Sequence, residues 1–250
     1  MHLAPSPIVA RVSRTLAGRG REALERELAF AVAAAETGAP VVPPAEPEVF
    51  EHAGRLITLW MHVEHRPPEQ HDAPAVGRSL RALHDAVAGA DFGLERFDRL
   101  DEAAEKLATL APDDAANEDD LAAMAAAIEA ARARLAGLDL TERPIHGDAH
   151  FGNVLVTENG PLWADLENVC NGPVEYDLAC LAWRAQVHRR PPYVDAVEAY
   201  GPHEPELVEQ LKPVLAAFLC VWNTAIVQQA GAPEMHGFLR ERLDYLRTFL

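Results

Sequence analysis

The chain has 250 residues, with 22 Lys and Arg against 39 Asp and Glu and a formal net charge of −17. An acidity of this size excludes general binding to nucleic acid or to an anionic membrane, whose phosphates repel it. With 49% hydrophobic and 24% charged residues, the balance is that of a globular chain, long enough to bury a core without covalent staples.

The N-terminus has no apolar stretch ahead of a small-residue cleavage site, and Pro5 and Pro7 interrupt it early, so no signal peptide is predicted. Ile8–Val12 is short and apolar and reads as a strand. Arg21–Glu36 has helical composition with no internal Gly or Pro, and Gly38 and Pro40 stop it. Residues 49–60 read as two short strands split by a turn at Ala53-Gly54. The proline-rich stretch 65–74 is a connector. Beyond it Val76, Leu80, Leu83 and Val87 repeat at helical spacing. Residues 117–136 form a second helix, acidic in its first turn and carrying Arg132 and Arg134 near its end, with Gly137 as C-cap. Between 144 and 173 short β-like pieces, 154–156 and 162–163, alternate with polar loops. Helices follow over 174–186, 193–200, 206–229 and from 236 to the end. The longest strongly apolar run, 214–222, falls well short of the ~20 residues that span a bilayer. Cys170, Cys180 and Cys220 form no CxxC pair. That argues against a disulfide framework or a cysteine zinc site and predicts a reducing, cytoplasmic setting.

The chemistry is concentrated in His146-Gly147-Asp148-Ala149-His150-Phe151-Gly152-Asn153. An extended segment, Arg143–Ile145, enters this loop and a strand leaves it. The strand 161–164 then delivers Asp165, followed by Glu167. A strand–loop–strand hairpin can gather Asp148, Asn153 and Asp165 around one point. That set suits phosphoryl transfer, which needs positioning and charge neutralisation more than covalent help. Asn153 and Asp165 supply the hard oxygens that Mg²⁺ prefers, and Asp148 can orient an acceptor hydroxyl and take its proton. The Asp148-to-Asn153 spacing is that of the kinase catalytic loop.

HGDAHFGNVL followed by DLENVCNGPVEYDLA resembles the aminoglycoside phosphotransferase and choline kinase-like group of small-molecule kinases. Gly172-Pro173 with Asp177-Leu178-Ala179 fits that group's next helix start, Leu80 to His84 resembles its L-x-x-L-H, and Ile57 to Trp60 its strand entering the hinge. The resemblance implies an α+β, protein kinase-like two-lobed fold, with a nucleotide-binding lobe over 1–63 and a mostly helical catalytic and substrate-binding lobe over 64–250. It implies Asp148 as base, His146 and His150 as braces of the loop, and Asn153 and Asp165 as Mg²⁺ ligands, with Glu167 as a further metal or substrate contact. It implies Asp177 as anchor, and backbone groups of Trp60, Met61 and His62 against the purine of ATP or GTP. Arg11 falls where the family puts a phosphate-binding Lys, with Arg14 as rival, and Glu27 would be its partner, in competition with Glu22 and Glu25. Arg presents a planar fork where Lys has a point charge.

Only seven residues precede Ile8, where a kinase-type lobe has two strands and a Gly-rich turn over the phosphates. The expectation is a truncated N-terminal lobe, and a nucleotide-binding pseudokinase is the alternative function. A third reading is a metallohydrolase that uses His146, Asp148 and His150 as ligands. His84 is expected in the core under the loop, and His62 and His65 in solvent. Glu198, Glu204, Glu206, Glu209 and Glu234 lie in helices where such kinases build the acceptor pocket. They would favour a cationic acceptor such as an amino sugar or amino alcohol, unless they only form a solvated acidic surface. The expected species is a monomer or homodimer.

Overall fold

The computed structural model describes residues 5–12, 20–138, 140–187 and 192–250. Strand β1 (Ile8–Val12) is followed by helix α1 (Arg21–Glu36) and the hairpin β2 (Phe50–His52) and β3 (Arg55–Met61). Both hairpin-turn residues, Ala53 and Gly54, have positive φ, 51° and 71°, the twist that two-residue hairpins require. The three strands form one antiparallel sheet in the order β1-β3-β2. Its register sets Val9 opposite Trp60 and Arg11 opposite Thr58. Cross-strand partners share a face, so Val9, Arg11, Thr58 and Trp60 line one side of this sheet.

The rest is mostly helical: α2 (Ala73–Val87), α3 (Arg99–Leu107), α4 (Glu118–Leu135), α5 (Val174–Val187), α6 (Pro192–Tyr200), α7 (Pro205–Ala230) and α8 (His236–Arg247). Between α4 and α5 lie two small antiparallel pairs. β4 (Arg143–Ile145) pairs with β7 (Cys170–Gly172), and β5 (Val154–Thr157) pairs with β6 (Gly160–Trp163). The helix α2 follows from its apolar stripe: Val76, Leu80, Leu83 and Val87 are all buried. At Gly77 it crosses α6 so closely that a Cβ would lie 1.9 Å from the Ala196 carbonyl oxygen. Here glycine is a packing requirement. α4 begins with Asn117 capping Asp120 N and Asp120 answering on Asn117 N, a reciprocal box that satisfies two orphan donors.

Among the described residues, α7 alone is long and apolar enough to cross a bilayer. It instead packs against α3, α4, α5 and α8 and buries Leu211, Val214, Leu215 and Val221, as the central helix of this half. Trp163, Trp183 and Tyr176 are the largest fully buried side chains. The Trp163 indole donates to Ser79 Oγ at 3.0 Å, which ties the β5–β6 hairpin to α2.

Candidate active site

The loop after β4 is hung from a buried carboxylate. Asp177, fully buried in the first turn of α5, accepts from the backbone N–H of His146 and of Gly147, each at 2.8 Å. His84 on α2 donates to the same carboxylate through Nε2 at 2.9 Å, and its Nδ1 meets the Tyr200 hydroxyl at 2.9 Å. A carboxylate stripped of water is tolerable only when its lone pairs are filled. Three donors from two segments, the loop and α2, fill them here. His84 is therefore in the core, as expected, and Asp177 anchors the loop.

His146 is buried and both ring nitrogens are used. Nε2 donates to the Ala164 carbonyl at 3.0 Å, and Nδ1 accepts the Asp148 N–H at 3.3 Å. The network thus assigns the Nε2–H tautomer. Asn153 turns its amide nitrogen to the Asp148 carbonyl at 3.0 Å and to Asp148 Oδ2 at 3.5 Å, which points its amide oxygen the other way. His150 Nε2 stands 3.5 Å from Asp148 Oδ2. The His150 ring lies so close over Gly152 that a Cβ there would be 2.7 Å from it. The backbone bond from Ala164 N to Asn153 O, 2.9 Å, sets Asn153 beside the end of β6.

Asp165 follows at once, with φ 61° and ψ 56°, the left-handed region that Asp tolerates better than most residues. Its Oδ1 lies 2.8 Å from Arg11 Nη2, and that nitrogen also meets Glu167 Oε2. Arg11 Nη1 binds Glu27 Oε1 at 2.6 Å. Glu27, rather than Glu22 or Glu25, is the partner on α1 and is buried; Arg14 lies outside the described residues. Burial pushes the Glu27 carboxyl up to about 7, and Arg11 works against the rise. One guanidinium so bridges the small sheet, α1 and the Asp165 loop.

Among the described residues no three His, Cys, Asp or Glu gather as a metal cluster. This corrects the metallohydrolase reading, because His146 has spent both nitrogens inside the loop. The donor set does fit Mg²⁺, which takes one or two protein oxygens and leaves the rest to phosphate and water. Asn153, Asp165 and Glu167 offer hard oxygens, and the two carboxylates already hold a cationic group, Arg11.

A cavity of about 310 Å³ opens beside this cluster, lined by Val9, Arg11, Trp60, Met61, His62 and Asp165 among others. His62 is half-buried and lines this cavity; His65 lines it too, and is exposed as expected. Residues 60–62, expected beside a purine, line this cavity. Met61 N already donates to the Pro43 carbonyl at 3.0 Å and His62 N to the Pro7 carbonyl at 2.8 Å, so those two donors are taken.

A second cavity, about 220 Å³, lies between α1, α3, α7 and residues 167–170. Arg26, Arg96 and Arg99 line it with Glu95, Glu102, Glu167 and Trp222. None of Glu198, Glu204, Glu206, Glu209 or Glu234 is in its wall. Sequence reasoning missed Arg99, the first residue of the short α3. It is 4% exposed and donates to the Asn168 carbonyl at 2.8 Å and to Glu102 at 2.8 and 3.0 Å.

The model of the phosphotransferase enzyme family matches residues 4–210. Stress response kinase A of Escherichia coli is 31% identical over 90 residues, which cover 34% of this chain and 27% of that protein. The match therefore spans about a quarter of that relative. Among solved structures, choline kinase LicA from Streptococcus pneumoniae superposes with a TM-score of 0.75 at 12% identity, covering 99% of this chain and 87% of the other. Amicoumacin kinase hAmiN, in complex with AMP-PNP, Ca²⁺ and Ami, gives 0.72 at 13% identity over 96% and 81%. A thermostable mutant of an aminoglycoside phosphotransferase gives 0.68 at 15% identity over 96% and 86%. The α+β, protein kinase-like fold is that of these proteins.

Proposed function

The chain belongs to the phosphotransferase enzyme family, and on that footing we propose that it is a kinase moving a phosphoryl group from ATP or GTP, with Mg²⁺, to a hydroxyl of a small molecule. The observation that carries this reading is the joint placement of Asp148 and Asn153 on one anchored loop and Asp165 on the loop beside it. Residues 1–63 form the nucleotide lobe, with the 310 Å³ cavity as the seat of the base, and residues 64–250 form the catalytic and acceptor lobe.

Asp148 orients the acceptor hydroxyl and takes its proton. His146 fixes the backbone of Asp148, and His150 flanks its carboxylate. Arg11 turns from Asp165 towards the phosphates while Glu27 holds its other prong. Mg²⁺ bound by Asn153, Asp165 and Glu167 would neutralise charge on the transferring phosphates. The acceptor is cationic, an amino sugar or amino alcohol, drawn to a chain of net charge −17. The protein works in the cytoplasm, in keeping with three free, buried cysteines.

The test is thermal unfolding with AMP-PNP or GMP-PNP, with and without Mg²⁺. A ligand of the folded state raises stability by RT ln(1 + [L]/Kd), and a Mg²⁺-dependent rise is expected. Asp165→Asn should keep the left-handed backbone, which Asn accepts, yet lose the metal-dependent part of the rise and all turnover. An Asp165→Asn variant with the wild-type rise and turnover would refute the assignment. A rise in the wild type without turnover would favour the nucleotide-binding pseudokinase, and no rise would count against the nucleotide assignment itself.

A further inference from the structure

We infer that Arg99 is a positioning residue for this reaction, setting the distance between the loop that carries Asp148 and the loop that carries Asp165 and Glu167. The inference rests on the function proposed above.

Residues 165–167 are held from both ends. On one side the Ala164 carbonyl takes the Nε2–H of His146 at 3.0 Å. On the other the Asn168 carbonyl takes the Arg99 Nη2–H at 2.8 Å. The same Nη2 lies 3.5 Å from the carbonyl of Gly147, the residue before Asp148. Both groups at this junction are acceptors, so the loops repel unless a donor stands between them. The approach is tight: a Cβ on Gly147, whose φ is +77°, would lie 2.1 Å from the Asn168 oxygen and 2.7 Å from Arg99 Nη2. Gly147 has no room for a side chain of its own between the loops.

An arginine suits this place because its fork reaches in two directions at once. Nη1 is clamped by both Glu102 oxygens at 2.8 and 3.0 Å, and the Phe218 ring lies 5.1 Å from the guanidinium carbon. The clamp and the ring fix the guanidinium from the solvent side and from α7. The loops then inherit that position. Arg99 touches no reacting group, so its effect is on geometry, and small errors of geometry are costly in phosphoryl transfer.

The experiment uses the full chain with Arg99→Ala. Amide hydrogen exchange is expected to quicken at 146–150 and 165–170 and to stay unchanged in α4. The Mg²⁺-dependent gain in AMP-PNP affinity should fall about tenfold, the loss of one charge-assisted hydrogen bond, while affinity without metal stays the same. Turnover should drop with little change in KM, and added guanidinium ion should restore part of it. Arg99→Lys should recover some but not all, since an ammonium cannot hold Glu102 and Asn168 together. If Arg99→Ala does not fold, Glu102→Gln frees one prong and should give the same pattern more weakly. Unchanged exchange at 165–170 would overturn the inference. So would a fall in affinity equal with and without metal, or a lower melting temperature alone. A wild type that binds no AMP-PNP would count against the proposed function instead, and the exchange pattern would then decide on Arg99.

Discussion

Replacing Asp177 with Asn keeps the shape of the side chain and removes one acceptor oxygen. Oδ2 serves two donors, His146 N and His84 Nε2, whereas Oδ1 serves only Gly147 N. The amide will therefore settle with its oxygen at the Oδ2 site and its NH₂ facing the Gly147 N–H, donor against donor. One buried backbone N–H loses its partner, and two charge-assisted bonds become neutral ones. Together these cost about 3 kcal/mol, since an orphaned buried donor alone costs ~1–3 kcal/mol. For a chain of this size that lowers Tm by about 6–12 °C. The assay is calorimetric or fluorescence-detected unfolding, paired with amide exchange across 146–150, which should quicken more than α4. A Tm within ~2 °C of the wild type would refute the claim that Asp177 carries the loop.

Gly77→Ala places a methyl 1.9 Å from the Ala196 oxygen. α2 and α6 must part, and urea midpoints should report a loss of about 1–3 kcal/mol. For Glu27 the sign is set by its raised carboxyl, about 7 against an ordinary 4.5. The folded chain keeps a proton that the unfolded chain releases, so stability is full below 4.5 and is lost as pH rises towards 7. The loss is at most about 3 kcal/mol. Glu27→Gln should flatten that slope in urea titrations at pH 5 and 7, and an unchanged slope would assign it to other groups.

How much was legible depends on the range of each signal. α1, α2, α4 and the β2–β3 hairpin follow from local patterns: an uninterrupted helical composition ended by Gly38 and Pro40, the Val76–Val87 stripe, the acidic first turn with Arg132 and Arg134 at the other end, and Ala53-Gly54. The gathering of Asp148, Asn153 and Asp165 about one hairpin follows from their spacing along the strand–loop–strand stretch, and the resemblance points to Asp177 as the anchor. α3, with nine residues, and β7, with three, are too short for a period to emerge. Arg99 has only an i,i+3 pairing with Glu102 as a local signal, and the two carbonyl oxygens that give it a role lie 48 and 69 residues away. The two spent donors at Met61 and His62 arise from Pro43 and Pro7, whose carbonyls only the assembled sheet brings near.

The suspension of the loop from Asp177 also has a consequence for the order in which the molecule comes together. The residues proposed for chemistry, 146 to 167, precede α5 in the chain, and His84 precedes Asp177 by 93 positions. A nascent chain ending at residue 170 would hold every one of them, yet nothing to fix the amides of His146 and Gly147. Closing such long loops delays their contacts relative to local ones. Chemical competence therefore arrives late in synthesis, when α5 docks against α2, and truncations short of that helix would express the motif without its architecture.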